Sequence, residues 1–345
     1  MERNPAIHTI AAAKIAGIKL GQRLSDALIQ HETAFWDQYK KSRRNWRSLA
    51  TVSTTLNNEA YYPAGHVRAL IALNRAADGI DDDDVRTVYK ACVAAAVEPA
   101  GMLRRDGRAL RFAPGRVPVD PTEAFSAALS KCIEDTAMLP SLGSRAETAT
   151  ILGDARGIET HAESKKFDWI VCSPPYPNNI DYTEVYKTES WALEVYSNAQ
   201  EMRDQRLGTL RSHPSIKFPD QYSYTDSLHH NAVRDLLEPI ENAIADDRYA
   251  FGRRQVVVGY ADDMLQVLLG LRKISEAGGR CVLVVGNSVH GTESTSLVIA
   301  ADLMLARLGE IAGWKVEEIR VARNLRRRGH DSAHLRESVV VLRNE

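Results

Sequence analysis

Residues 168–182 read DWIVCSPPYPNNIDY. The apolar run 169–172 predicts a strand, and the prolines at 174 and 175 end it. Neither proline can donate to a strand ladder, and each also restricts the residue before it. The chain must therefore leave the sheet at Ser173. That puts Ser173, Pro174, Pro175 and Tyr176 at the carboxyl end of the strand, where open α/β sheets hold their ligands. A rigid turn there gathers a small hydroxyl, a backbone carbonyl and an aromatic face. The bland alternative is a proline pair that merely ends a strand, with Tyr176 in the core. Asn178, Asn179, Asp181 and Tyr182 follow, either lining a pocket or serving as ordinary turn formers.

Outward from this stretch the pattern is strand alternating with helix. Upstream, TATILGDARGI (148–158) predicts another strand delivering Asp154 and Ala155 at its end. Downstream come helical signal over 184–202, a basic, Pro- and Tyr-containing loop over 203–224, and helices over 227–248 and 261–277. A strand over 279–288, a helix over 296–313, a strand over 315–322, the basic segment RNLRRRGHDSAHLR and a last strand over 337–344 complete the chain. Such alternation predicts an α/β fold with a doubly wound, mostly parallel sheet. Asn287, at the end of the 279–288 strand, is a further pocket-edge candidate, and His290 is either that or a loop residue.

The first 145 residues read differently. NPAIHTIAAAKIAGIKLGQRLSDAL, from Asn4, predicts a helix with Asn4 as its cap and Pro5 in the first turn. Residues 61–98 predict two helices separated by DGIDDDD, whose consecutive carboxylates fit a helix start better than a metal site. RRDGRALRFAPGRVPV (104–119) predicts a basic loop or hairpin, and DPTEAFSAALSKCIEDTAML a helix opened by Asp120 and Pro121. The organisation expected is residues 1–39 as the first helix of the main fold, 40–145 as a mainly helical insert with a basic loop suited to target recognition, and 146–345 as the main α/β region. FWDQYKKSRRNWR (35–47) interleaves cations with aromatics, as either a solvated amphipathic helix or a phosphate-contacting surface.

Composition narrows the class without naming a chemistry. The 345 residues carry 44 Lys+Arg against 45 Asp+Glu, for a net charge of -1, which excludes a uniformly basic coat but not a local basic groove. An apolar fraction of 44% with 21 Gly and 13 Pro excludes wholesale disorder. The four cysteines, Cys92, Cys132, Cys172 and Cys281, form no CxxC pair, so no zinc or dithiol site is expected, and the reading is a cytoplasmic protein without metal. No apolar stretch approaches the roughly 20 residues of a membrane span, and the N-terminus does not read as a signal peptide.

The SPPY tetrapeptide resembles motif IV of S-adenosylmethionine-dependent amino-methyltransferases, whose (Ser/Asp/Asn)-Pro-Pro-(Tyr/Phe) element serves methylation of cytosine N4 or adenine N6. The resemblance implies a Rossmann-like fold, S-adenosyl-L-methionine as cofactor and DNA as partner, as in restriction–modification. Ser173, Pro174, Pro175 and Tyr176 would then be catalytic, and Asn178, Asn179, Asp181 and Tyr182 would bind the base. LGDAR (152–156) is similar to the family's strand-end acid, which assigns Asp154 and Ala155 to the cofactor's adenine. The opening ERNP assigns Glu2 to the ribose hydroxyls, with Asn4 and Pro5 beside it. The basic sets Arg104, Arg105, Arg108 and Arg111, and Arg326, Arg327 and Arg328 with His330, read from their loop placement as phosphate-contacting loops, or else as simply solvated charge. Cys172 lies on the strand side of Ser173 and suits packing rather than the nucleophile that cytosine C5 methylation needs.

The family's Gly-rich Phe-x-Gly-x-Gly loop has no counterpart, so the first strand–helix–strand unit is expected to be missing. Three explanations stand: a separate small subunit supplies it, the chain is truncated, or cofactor binding has been lost. The functions expected are N4-cytosine DNA methylation, N6-adenine DNA methylation, RNA base methylation, or a non-catalytic nucleic-acid-binding or regulatory role.

Overall fold

Asn4 Oδ1 accepts from Ala6 N at 2.9 Å and from Ile7 N at 3.3 Å, filling two of the amide positions that a helix start leaves without partners. It opens α1 (Pro5–Leu20) in the computed structural model, which describes residues 1–106, 109–140, 148–162, 165–178, 180–290, 297–325 and 335–345. Gly21, at φ 53°, then breaks the single helix expected from Asn4, and α2 (Gln22–Arg44) begins. Asp82 caps α4 (Asp83–Val97) through Val85 N, so the acidic run after α3 (Ala64–Asp78) is a helix start. A small hairpin, β1 (Leu103–Arg105) with β2 (Leu110–Phe112), leads to α5 (Pro121–Met138), which Asp120 caps.

Among the described residues the rest of the chain forms α6 (Ile158–His161), β3 (Phe167–Cys172), α7 (Tyr182–Val185), α8 (Lys187–Ala192) and α9 (Ala199–Leu207). After these come α10 (His230–Asn242), α11 (Ala250–Lys273), β4 (Ser275–Gly286), β5 (Ser288–His290), β6 (Leu297–Ile299), α12 (Ala301–Ile311), β7 (Lys315–Asn324) and β8 (Arg336–Arg343). No helix among the described residues is long and apolar enough to cross a membrane.

The fold is mixed α/β and divides into two units, residues 1–152 with 182–206 and residues 153–181 with 207–345. In the first, α1 to α5 share one core, so residues 1–39 are not packed apart from 40–145. Phe35 stacks on Phe125 with ring centroids 4.8 Å apart and meets Tyr89 at 4.7 Å. The aromatics at 35, 36 and 39 therefore belong to this core, with the Tyr39 hydroxyl reaching a cation outside, Arg43 at 3.1 Å. Residues 182–206 join the same unit because α8 packs on α3 and α4. The single helix expected over 184–202 is interrupted at Glu194, the one described non-glycine residue at positive φ (54°). Its carboxylate receives both Arg75 Nη2 at 2.8 Å and Asn74 Nδ2 at 3.1 Å, which holds the strained backbone in place.

The second unit holds a four-stranded sheet in the order β3-β4-β8-β7. β3 and β4 are parallel, while β8 runs antiparallel to both β4 and β7. The sheet is therefore mixed where a mostly parallel one was expected, because β8 returns directly alongside β7. Helices α11 and α12 lie on the face carrying Cys281, Leu283, Val285, Val340 and Leu342, and these side chains with the helices form the core. The register puts Trp169, Val171, Val282, Val284, Val339 and Val341 on the opposite face, outside that core. β3 is an edge strand. The strand expected over 148–158 is reduced to a parallel bridge between Leu152 and Glu2 in the first unit.

Candidate functional site

The turn after β3 is held at each of its steps. Ser173 is exposed, and its hydroxyl donates to the Val284 carbonyl of β4 at 3.0 Å. With its proton donated there, Oγ keeps its acceptor capacity on an exposed residue. The adjacent Pro174 carbonyl accepts no hydrogen bond from any described residue. Tyr176 donates its phenol proton to Glu337 Oε1 at 2.7 Å, and Arg323 pairs with the same carboxylate at 2.7 Å. Arg323 first, then Tyr176, holds the Glu337 carboxyl below the usual range. The Tyr176 ring lies against Gly286, where a Cβ would come within 2.8 Å of it. The Pro177 carbonyl accepts from Ser288 Oγ at 2.5 Å, and His290 Nε2 lies 3.0 Å from the same carbonyl and 3.1 Å from Ser288 Oγ. Asn178 N donates to Ser212 O at 2.9 Å, and Asn178 Oδ1 accepts from Ile180 N in a side-chain turn.

This contact brings in a segment that the sequence did not single out. Ser215 Oγ lies 2.8 Å from Asp181 Oδ2 and 2.7 Å from His213 Nδ1, while His213 Nε2 stands 3.7 Å from Asp181 Oδ1. Asp181 and His213 are buried and Ser215 is exposed. The three form a hydrogen-bonded group directly beyond the proline turn. Their sequence signal was weak, since the partners lie over thirty residues apart in a stretch legible only as a loop. Gly286 and Glu337, which set the place and tilt of Tyr176, were likewise not identified.

The other candidates serve mainly structure. Asn287 is buried, and its Oδ1 accepts from Asp302 N at the start of α12. Asp154 Oδ1 caps a short turn through Arg156 N, and the Arg156 guanidinium takes both carboxylate oxygens, reaching Oδ2 at 2.6 Å. Arg156 also bridges to Asp263 at 3.1 Å, and Arg211 joins Asp262 and Asp263 at 2.5 and 2.8 Å. This network floors an open cavity of about 700 Å³, with Tyr222, Asp220 and Gln266 also on its wall. Ala155 packs against the core of the same unit. Glu2, Asn4, Pro5, Arg104, Arg105 and Tyr182 belong to the other unit. There Glu2 Oε1 accepts from Asn4 N at 2.7 Å and Asn4 caps α1.

Arg104 is exposed, but Arg105 is not free for phosphate. It pairs with Glu98 at 2.8 Å and with the buried Glu189 at 2.7 Å. Burial pushes the Glu189 carboxyl up, with Arg105 opposing the shift. Arg111 is paired with Asp106. Arg108, Asn179, Arg326, Arg327, Arg328 and His330 lie outside the described residues. Burial pushes the Cys172 thiol up to about 11, so it is not a thiolate at neutral pH and does not serve as a nucleophile. No protein-family model matches the chain, and no curated protein matches it in sequence.

Proposed function

We propose that this protein provides the base-binding part of an S-adenosylmethionine-dependent amino-methyltransferase acting on DNA, with cytosine N4 as the first target to test. The observation that carries the reading is the exposed Ser173 hydroxyl beside the carbonyl of buried Pro174, which no described residue hydrogen-bonds, on a turn anchored to β4, β5 and β8. An exocyclic base amine is a poor nucleophile because its lone pair is delocalised into the ring. Two acceptors facing its two N–H groups favour the tetrahedral form, in which the lone pair is available, and stabilise the positive charge that develops on nitrogen. Tyr176, fixed at its hydroxyl and along one side of its ring, offers its remaining surface to the base. The target must leave its duplex to reach these groups, at a cost of a few kcal/mol.

When bound, the cofactor supplies an electrophilic methyl group. The residues of this chain do not complete a pocket for it: the sequence has no Gly-rich loop of the required kind, and the Asp154 carboxylate is taken up by Arg156. Amine handling is the part of the chemistry that its own side chains support. The rest is assigned to a strand–loop–helix unit supplied from outside residues 1–345, by a small partner subunit. Two features support that assignment. The free edge of β3 can accept a parallel strand, and Trp169 and Val171, 61% and 70% exposed, leave an apolar face beside it. The helices of this unit that pack on the sheet, α11 and α12, lie on one face, so a doubly wound Rossmann-like sheet needs a second helical layer on the other.

The test is transfer of labelled methyl to DNA and to RNA, by the chain alone and with any co-purifying partner, followed by nucleoside analysis. We expect N4-methylcytosine from the complex. Ser173→Ala and Tyr176→Ala are expected to lower transfer about 10²-fold or more, the scale of losing one transition-state donor or acceptor, with polymer binding changed little. N6-methyladenine or labelled RNA would move the target. No label in any polymer, from a complex shown to bind the cofactor, would leave a nucleic-acid-binding or regulatory subunit.

A further inference from the structure

Among the described residues, a dense group of cations without acidic partners lies far along the chain from the proline turn. Residues 40–47 read KKSRRNWR, the last turn of α2 and the short turn after it. Lys40 pairs with Asp37 at 3.1 Å. Lys41, Arg43, Arg44, Arg47 and the neighbouring Arg68 of α3 are all exposed, and none has a carboxylate within ion-pair distance. Between them stands Trp46, 51% exposed, with the Arg68 guanidinium 4.8 Å and the Arg47 guanidinium 5.5 Å from its ring centroid.

Fold stability does not account for this group. A cation or two at a helix C-terminus offsets the carbonyl ends of the dipole, but five unpaired like charges repel one another. Elsewhere in the same unit, Arg75, Arg86, Arg105, Arg111 and Arg116 are each paired with a carboxylate. The indole face restrains two flexible guanidiniums before any ligand arrives, which lowers the entropy lost when they bind. Guanidiniums held as planar forks match phosphate oxygens in pairs.

We infer that the end of α2, the 46–48 turn and Arg68 form a docking surface for a nucleic-acid phosphate backbone, with Trp46 holding two of its arginines ready. The surface contacts backbone and not base edges, so it binds without sequence preference. The identity of the polymer as substrate rests on the methyltransferase reading, whereas the surface itself does not.

The test uses the full chain with end-labelled duplex DNA, single-stranded DNA and RNA of one sequence, followed by fluorescence anisotropy over a range of salt. Combined Arg43→Ala, Arg44→Ala and Arg47→Ala is expected to weaken binding about 10-fold or more and to reduce the slope of log K against log salt by about 2–3 on duplex. Trp46→Ala is expected to lose several-fold by freeing Arg47 and Arg68. The control, Lys14→Ala with Arg23→Ala and Arg203→Ala, removes exposed, unpaired cations of the same unit from α1, the first turn of α2 and α9, and is expected to change binding less than about twofold. Circular dichroism melting checks that each variant folds. The inference is overturned if the triple variant keeps wild-type affinity and salt slope, if the control loses as much, or if polyglutamate of equal charge competes as well as DNA. Methyl transfer measured in parallel separates the two readings. Patch-dependent binding without transfer removes the enzyme and keeps the surface, and transfer by a triple variant with undiminished binding removes the surface alone.

Discussion

The two faces of the four-stranded sheet are both built from apolar residues, yet one is buried and the other is not. On one, Cys281, Leu283, Val285, Val340 and Leu342 lie under α11 and α12. On the other, no helix of the described residues of this unit packs over Val171, which is exposed, or over Val282, Val284, Val339 and Val341, which are half-buried. Alternation along a strand decides only which residues share a face; what covers that face depends on helices placed elsewhere in the chain. The difference teaches that a face can be apolar in composition without being core, and an apolar face beside a free strand edge suits a partner.

The contrast is broken most directly by cutting equivalent side chains on each face. Leu283→Ala is expected to destabilise the protein by about 2–5 kcal/mol in urea unfolding, because it leaves a cavity beneath the helices. A loss under about 1 kcal/mol would mean that the covered face is not a packed core. Next comes Asp302, fully buried on the covered side, paired with Arg336 at 2.8 Å and accepting from Ser338 Oγ at 2.7 Å. Burial alone would raise its carboxyl, but Ser338, Arg336, Asn287 and the Leu303 amide hold it below the ordinary range. Its folded pKa lies below its unfolded one, so the stability it confers is full above about pH 4 and is lost as pH falls through the folded value. Asp302→Asn is expected to cost about 1–3 kcal/mol at neutral pH. The gap from wild type should narrow in acid, and a gap that is flat with pH would remove the carboxylate from the account.

On the open side the effects shrink. Gly286→Ala drives a Cβ into the Tyr176 ring and is expected to cost about 1 kcal/mol, the low end of overpacking, since the ring is only half-buried. Its larger effect is on the turn, read as lost methyl transfer with fold retained. Val171→Thr is expected to change stability by less than about 0.5 kcal/mol in the chain alone. The same change should weaken association with a partner that covers β3, and equal binding by both chains would leave the open face without that role. Smallest of all, Cys172 is expected to resist alkylation near pH 8, and rapid labelling in the folded chain would contradict its raised pKa.

Much of the helical unit was legible because its signals are local. Asn4, Asp82 and Asp120 cap helices within three residues of themselves, and the 104–119 segment forms its hairpin across a short loop. β3 and the proline turn were legible for the same reason. What sequence could not supply was partnership at a distance. Arg105, at the end of β1, reads as a free basic residue until Glu189 of α8 closes on it. His213 and Ser215 read as loop until Asp181 meets them, and Asp154 reads as an open acceptor until Arg156 folds back over it. The mixed sheet was missed because alternation of strand and helix does not reveal the direction of a final strand that returns beside its neighbour.

The proline pair has a second consequence, for length. A bare strand edge is a template on which further chains can stack, and it becomes more hazardous as it lengthens. Here the template runs over the six residues of β3, about 20 Å at the usual rise per residue. Beyond Ser173 it meets two positions that have no amide proton to offer. Pro174 and Pro175 thus act as a ruler: the edge is long enough to seat one short strand, and it stops where fibre-like growth would need the ladder to continue.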